Sequence, residues 1–445
     1  MLTVKPFKGI LYNLEKVEDL GLVISPPYDV IDENEYNGFL EKHPYNVVRL
    51  DGCMPFGKNS GNGHHQKAAD SFREWLEKDV LIEEEEPAFY VSAVDFDIEG
   101  KTFTRYGLVC LVELERYDEG SVLPHEKTFS KTKDDRLDLM KACQSNFSQI
   151  FALYNDDGDI LDRIIGLASK GPAEVEFKDT DGHKHKMWRI TDPEVHRELC
   201  EKLAYKKLVI ADGHHRYESA LAYRDWVAKN DPDYGSDHPA NYVMTYLCSA
   251  KDPGLIILPT HRILSHVDED RRKKLMKRAE EYFYVTPITW QKEEYDLARE
   301  EFLSTLSANS SDCTIGVLIT GMPEFYLLTL KPNILEYQFK EEIPDPLKEL
   351  DASVLSRLIF RELLNLDRSD LDQEGLVTYS HSEEEAIDEV FDKKAEMAFI
   401  LNPPTNAEVI KVAEEGFVMP RKSTFYYPKV ITGQVMNSLS PRAGN

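Results

Sequence analysis

Leu208-Val-Ile-Ala-Asp-Gly-His-His-Arg-Tyr-Glu218 is the stretch from which the rest of the chain is best read. Its apolar start makes a short buried strand, Asp212-Gly213 turns the chain, and His214 opens a helix. The apolar stripe of that helix runs through Tyr217, Ala220, Leu221, Val227 and Ala228, interrupted by Arg224. A strand ending in a glycine turn at a docked helix leaves backbone N–H groups pointing outward, a geometry suited to anions. Asp212, His214, His215 and Arg216 add an acceptor, two titratable rings and a fixed cation there. Folding alone asks only for a cap, a turn and solvated side chains, so two histidines and an arginine at one strand exit point to binding chemistry. Consecutive helix positions differ by about 100°, so only one of His214 and His215 faces the site. Arg216, four residues after Asp212, shares its side of the first turn.

Outward from this stretch, alternation in residues 89–96 and 102–113 predicts two antiparallel strands joined by the Glu99-Gly100 turn. Residues 132–146 have helical spacing, and 149–154 read as a buried strand. Residues 156–169 and 192–205 read as helices flanking a hairpin at Asp181-Gly182. A glycine-rich loop at 57–63 precedes a helical pattern at 66–78. From about residue 265 the character changes to long charged helices, at 268–284, 293–306 and 352–365, with strands at 314–320 and 324–330. Strand and helix signals then repeat at 376–380, 383–392, 397–401 and 406–414. The expectation is an α/β chain of mixed α+β character. Residues 1–264 form the domain that carries the motif. Residues 265–445 form a second α/β layer or domain, whose last segment, 419–433, returns to the site.

The chain has 445 residues, enough for two or three domains and a large cleft. Its formal charge of -27, from 80 acidic and 53 basic residues, makes the average surface repel polyanions. That argues against nucleic acid and acidic membranes as partners, while a local basic pocket can still hold pyrophosphate, a nucleotide or a phosphorylated metabolite. Six cysteines (Cys53, Cys110, Cys143, Cys200, Cys248 and Cys313) show no paired spacing, as in a reducing cytoplasm. No export-type segment opens the chain, and no apolar run nears the ~20 residues of a membrane span. A cytoplasmic location is expected.

Other polar clusters interrupt apolar stretches. Pro26-Pro-Tyr-Asp-Val30 puts Asp29 at a rigid turn, Pro124-His-Glu-Lys-Thr128 brings His125, Glu126 and Lys127 after a strand, and Leu258-Pro-Thr-His-Arg262 does the same for His261 and Arg262. Near the C-terminus, Lys422, Ser423 and Lys429 offer cations and a hydroxyl to a phosphate. Each cluster alone is as well explained by turns and surface ion pairs; together they suggest one polar site. His183 and His185, two apart beside a turn, would share one face of a strand, as metal ligands need, but a solvated hairpin is the simpler expectation. His64-His65 reads as a loop entering a helix. The chain has no HExxH, GxxxxGK[ST] or GxSxG, and no GxGxxG after a strand, so zincin, P-loop, hydrolase-elbow and dinucleotide readings lack support.

These ordered motifs, from Pro-Pro-Tyr-Asp-Val through Ala211-Asp-Gly-His-His-Arg-Tyr-Glu218 to Met419-Pro-Arg-Lys-Ser-Thr-Phe-Tyr-Tyr-Pro-Lys429, resemble the bacterial and archaeal family called domain of unknown function 1015, over roughly residues 3–433. The chain departs from the commoner family form at Arg421, where a glutamine-like residue is usual. The resemblance implies a ParB/sulfiredoxin-like mixed-sheet core and a small-molecule kinase that phosphorylates free L-serine with pyrophosphate or a nucleotide. It further implies that His214, His215 and Arg216 bind donor phosphates, that Asp212 holds Mg²⁺ or the substrate hydroxyl, and that Asp29, Glu126 or Asp212 takes the hydroxyl proton, with Glu126 favoured. Chromosome partitioning fits poorly, since the chain is acidic and shows no helix-turn-helix. Two other readings use the same motif: a ParB-like nucleotide or amino-acid binding protein without turnover, and a metal-dependent phosphatase or nuclease.

Overall fold

A computed structural model describes residues 1–51, 63–128, 130–340, 342–371, 373 and 375–441. Residues 57–62 of the glycine-rich loop and Cys53 lie outside the described residues. The chain divides into two units, Met1–Ile256 with Pro428–Asn445, and Ile257–Tyr427.

The first unit is built on a mixed sheet of β1 (Val4–Lys5), β2 (Phe89–Ile98), β3 (Lys101–Glu113), β4 (Val122–Leu123), β5 (Ile150–Tyr154), β6 (Val175–Lys178), β7 (Lys184–Ile190), β8 (Leu208–Asp212) and β9 (Tyr242–Ser249). The order is β4-β8-β5-β9-β3-β2-β7-β6, with β1 beside β3. β8 runs parallel to β4 and antiparallel to β5, and β9 runs parallel to β5. The β2–β3 hairpin closes on Glu99 and Gly100, whose φ of 49° and 76° match the left-handed pair that two-residue hairpin turns favour.

Helices α1 (His64–Glu77), α2 (Ser130–Cys143), α3 (Asp159–Ala168), α4 (Pro193–Leu203) and α5 (His214–Asn230) belong to this unit. Tyr217, Ala220, Tyr223 and Val227 of α5 pack with Leu208, Ile210, Ala152 and Leu247 of the sheet and Leu199 and Leu203 of α4. Each Leu, Ile or Val among them contributes about 1.5–3 kcal/mol on burial, so the start of α5 is held firmly at the end of β8. A second core joins Phe72 and Trp75 to Leu139, Phe147, Phe177, Ile431 and Met436. The C-terminal segment is sewn in by backbone bonds: Thr432 N–H to Ser25 O (2.8 Å), Met436 N–H to Ile10 O (2.9 Å) and Leu439 N–H to Gln144 O (2.7 Å).

In the second unit β10 (His261–Leu264), β11 (Phe283–Thr289), β12 (Thr314–Ile319), β13 (Glu324–Leu330), β14 (Val377–Ser380) and β15 (Met397–Ile400) pair antiparallel in the order β11-β13-β12-β15-β10-β14. The whole is mixed α/β. The helical pattern read at 268–284 stops at Ala279, and Phe283 and Tyr284 open a strand instead. The apolar residues Tyr282, Phe283 and Tyr284 continue the pattern of the charged helix, and the β11–β13 pairing ends it. Residues 352–365 are largely a π-helix, Leu355–Leu363, which buries Leu355, Leu358, Ile359, Phe360 and Leu363. The expectation that His183 and His185 are solvated is overturned: their exposures are 6% and 4%. Among the described residues no helix is long and apolar enough to cross a membrane.

Candidate functional site

The pairing of β8 with β5 shifts register between Ile210 and Asp212, and an irregularity of this kind at a strand end re-aims the side chain that follows. Gly213 then takes φ +90°, and a Cβ there would meet Arg216 Nε at 3.0 Å. Glycine therefore supplies the left-handed turn and the space through which the Arg216 guanidinium folds back over the first turn of α5. Arg216 donates to Asp212 Oδ2 at 2.5 Å and to the backbone carbonyl of Gln149. Lys429, carried in by the sewn C-terminal segment, donates to the other Asp212 oxygen, also at 2.5 Å. The side chains of Asp212, Arg216 and Lys429 are only 13%, 9% and 14% exposed. Burial pushes the Asp212 carboxyl up, but Lys429 and Arg216 together outweigh it and hold the group well below the usual carboxylate range. Two cations on one carboxylate leave the triad with a net positive charge.

The histidines are ordered by the backbone. The His125 N–H donates to His214 Nε2 at 3.2 Å, which places the neutral ring's proton on Nδ1. His125 Nδ1 meets the Ile210 carbonyl, which only accepts, so Nδ1 carries the proton and Nε2 is the basic nitrogen. The two rings lie 4.8 Å apart at 71°. Burial first, and then the neighbouring ring and Lys429, hold His214 well below its ordinary value. Burial likewise lowers His125, against the opposing fields of Glu126 and Asp212. Both rings are thus neutral, and a bound anion would favour protonation at His125 Nε2.

Around this centre stands a ring of residues that the sequence did not single out. Arg136 of α2 holds Asp51 at 3.1 Å and lies 4.1 Å from the Tyr28 ring centre. Burial lowers Arg216, but the fields of Asp212, Asp29, Tyr28 and Asp51 raise it further. A small cavity of about 30 Å³, lined in part by Asp51, Arg136, Ser148, Arg216 and Ser219, has room for one water. Gln149 is 1% exposed, and among the described residues its carboxamide nitrogen and oxygen both lack a hydrogen-bond partner. An unsatisfied buried amide costs about 1–3 kcal/mol, and the backbone carbonyl of the same residue accepts from Arg216. The one sequence signal was a polar residue at the head of an apolar strand.

Asp29, His125, Glu126, Asp212, His214, Arg216 and Lys429 therefore act on one neighbourhood of the first unit through the contacts and fields just described. Asp29 itself is exposed, Glu126 and His215 are half-buried, and Lys127 is exposed. His261, Arg262, Lys422 and Ser423 lie in the second unit. There His261 Nδ1 accepts the Leu401 N–H at 3.2 Å, Ser423 Oγ donates to Pro420 O at 2.6 Å, and Arg262 donates to the carbonyls of Thr260, Arg421 and Lys422. These bonds tie strand β10 to the 420–423 turn and to the end of β15. A Mg²⁺ ion does not fit on Asp212 as the residues stand: each oxygen already receives a cation, and among the described residues Asp212 joins no group of three candidate ligands.

Comparison with solved structures gives weak likenesses, among them the following. A conserved hypothetical protein from Pyrococcus furiosus is 14% identical, covering 72% of this chain and 92% of that one, with a TM-score of 0.33. A free serine kinase in complex with AMP is 12% identical (72% and 86%, TM-score 0.35), and SbnI with C-terminal truncation from Staphylococcus aureus is 11% identical (73% and 85%, TM-score 0.34). Likenesses of this size bear on neither mechanism nor substrate. No curated protein matches the chain. The family model described as "Protein of unknown function (DUF1015)" matches residues 4–353, most of the sequence, and the chain belongs to that family.

Proposed function

We propose that this protein is a small-molecule phosphotransferase that moves a phosphoryl group from pyrophosphate or a nucleotide to the hydroxyl of free L-serine. The observation that carries the reading is the largely buried Asp212–Arg216–Lys429 triad at the opening of α5. Phosphoryl transfer asks a protein chiefly to position its reactants and neutralise charge. The first N–H groups of α5 have no partner within the helix and take the donor's terminal phosphate. Arg216 and Lys429 supply the cations beside it, and Asp212 holds both in place rather than touching metal. His125 gains a proton as the anion arrives, while His214 stays neutral as the acceptor of the His125 N–H. Glu126, next to His125, is assigned as the base for the acceptor hydroxyl. The Gln149 carboxamide hydrogen-bonds the bound acceptor or donor. Serine as acceptor follows from the family resemblance of the motifs; any Mg²⁺ enters on the donor's phosphates.

The test is phosphorus NMR on purified protein with Mg²⁺, L-serine and, in parallel, pyrophosphate, ADP and ATP. Phosphoserine from one donor supports the proposal and names the donor. Orthophosphate without phosphoserine makes the protein a hydrolase, and donor binding without consumption makes it a sensor. Either outcome overturns the transferase reading.

A further inference from the structure

The β6–β7 hairpin gathers a second cluster that phosphoryl transfer does not use. Asp179, at the end of β6, receives the N–H groups of Asp181 (3.0 Å) and His183 (2.9 Å) on Oδ1. Its other oxygen faces two imidazoles, His183 Nδ1 at 3.0 Å and His185 Nε2 at 2.9 Å. The left-handed Gly182, at φ +85°, turns the chain tightly enough to bring these three residues within one seven-residue stretch. Their orientation is fixed from behind: His185 stacks on Phe177 with ring centres 5.1 Å apart at 12°, and His183 stands edge-on to Phe96 at 6.3 Å. Asp179 Oδ1, held by two amides, is the outer-shell support that metal-bound carboxylates typically have.

We propose that Asp179, His183 and His185 form a binding site for a zinc-class divalent metal ion. The candidate ligand atoms all lie within 4.8 Å of one another, and both histidines are buried. Imidazole nitrogens at about 2.0–2.1 Å and a carboxylate oxygen at about 2.0–2.2 Å from a tetrahedral centre lie roughly 3.3 Å from one another. The two separations to Asp179, 2.9 and 3.0 Å, need open by only a few tenths of an ångström, and the separation between the two ring nitrogens is within 4.8 Å. Two imidazoles and one carboxylate select zinc, cobalt or ferrous iron over Mg²⁺ and Ca²⁺, which prefer all-oxygen shells. A cavity of about 10 Å³ lies against Asp179, Thr180 and Asp181 on one side and Gly21, Ser25 and Pro26 on the other. It has the size of about one water, and of the three proposed ligands only Asp179 lines it. Ligands this close in sequence order little chain on binding, so the hairpin presents the site already formed.

Position suggests what the ion does. A Cβ on Gly21 would lie 2.2 Å from the Lys178 carbonyl, so the hairpin seats directly on the Leu20–Leu22 turn. That turn leads into Pro26-Pro27-Tyr28-Asp29. The ion would brace the hairpin behind the segment that carries Tyr28 and Asp29, a structural role that stands whether or not the protein transfers phosphate.

The test uses the full-length chain, stripped with a chelator and titrated with Co²⁺ alone. The expected result is a stoichiometric set of visible d–d bands, displaced by Zn²⁺. The bands should be lost in H183Q/H185Q and retained in H64Q/H65Q, which disables a second His–His–Asp group among the described residues, at Asp135. Absence of the bands in the unaltered chain, or their persistence in H183Q/H185Q, overturns the proposal. Should H183Q/H185Q not fold, zinc-soaked crystals of the unaltered chain decide. An anomalous peak between Asp179, His183 and His185 supports the site, and a peak elsewhere or none refutes it.

Discussion

Replacing Lys429 by Met removes one cation from the triad while keeping most of the side chain's length and apolar bulk. The contact it breaks is 2.5 Å long, between groups 14% and 13% exposed. At an effective dielectric of about 20, two unit charges at that distance attract by roughly 6–7 kcal/mol, but desolvating the ammonium offsets much of this. Asp212 retains Arg216, so the variant leaves a neutral ion pair rather than a bare buried charge. The net loss is then that of one charge-assisted hydrogen bond, about 1.5–3 kcal/mol. Arg216→Ala is harsher, since it also strands the Gln149 carbonyl and opens a hole, and about 3–5 kcal/mol is expected. Urea unfolding of both single variants and the double variant gives the coupling directly. A Lys429→Met loss below about 0.5 kcal/mol, the level of an ordinary surface substitution, would refute the buried triad and with it the geometry of the site.

Other consequences follow from the same geometry. Arg216→Ala should lower phosphoserine formation by about 10²-fold or more, because a preorganised charge at the transferring group is lost; near-normal turnover by a folded variant would exclude Arg216 from the phosphate site. Gln149→Leu, which removes an unpartnered carboxamide at similar volume, should leave stability unchanged or raise it by about 1–3 kcal/mol while weakening ligand binding in calorimetry; unaltered affinity would deny Gln149 a ligand. His125 and His214 have folded values below their unfolded value of about 6.5. Their stabilising contribution is therefore complete above that pH and is lost as pH falls toward the folded values, because the unfolded chain binds the protons first. Urea midpoints should drop between pH 7.5 and pH 5 by less in His214→Phe than in the unaltered chain, and equal drops would contradict the buried neutral ring. Asp212 follows the same sign at lower pH, its contribution present above about 3.9 and lost on further acidification.

Local signals were legible where they act locally. The apolar run into Asp212-Gly213 marked β8 and the start of α5, and Glu99-Gly100 marked the β2–β3 turn. Phe283 and Tyr284, the start of β11, were absorbed into the helix pattern read at 268–284 because their strand character comes from pairing with β13, distant in sequence. The pocket shows the same division. Asp212, His214 and Arg216 stood out because they crowd one strand exit, and Lys429 stood out for its charge. Arg136 looked like any charged residue on an exposed helix. Its burial arises only when Asp51 and Tyr28 close over it, contacts that span 85 residues in the Asp51 pair alone. His183 and His185 were read as solvated because their spacing says which face they share but not that Asp179 lies between them. His261, Arg262 and Ser423 show the reverse: polar residues after a strand advertise hydrogen bonding, and theirs is directed to the carbonyls and amides of their own unit.

The decisive measurement is the initial rate of phosphoserine formation, followed by phosphorus NMR with the most effective donor, in the unaltered chain, Lys429→Met and Arg216→Ala, each verified as folded by circular dichroism. Phosphoserine should accumulate in the unaltered chain and slow by about 10²-fold or more in both variants. No phosphoserine from any donor, or equal rates in all three proteins, would contradict the assignment of the Asp212–Arg216–Lys429 triad as a phosphoryl-transfer site.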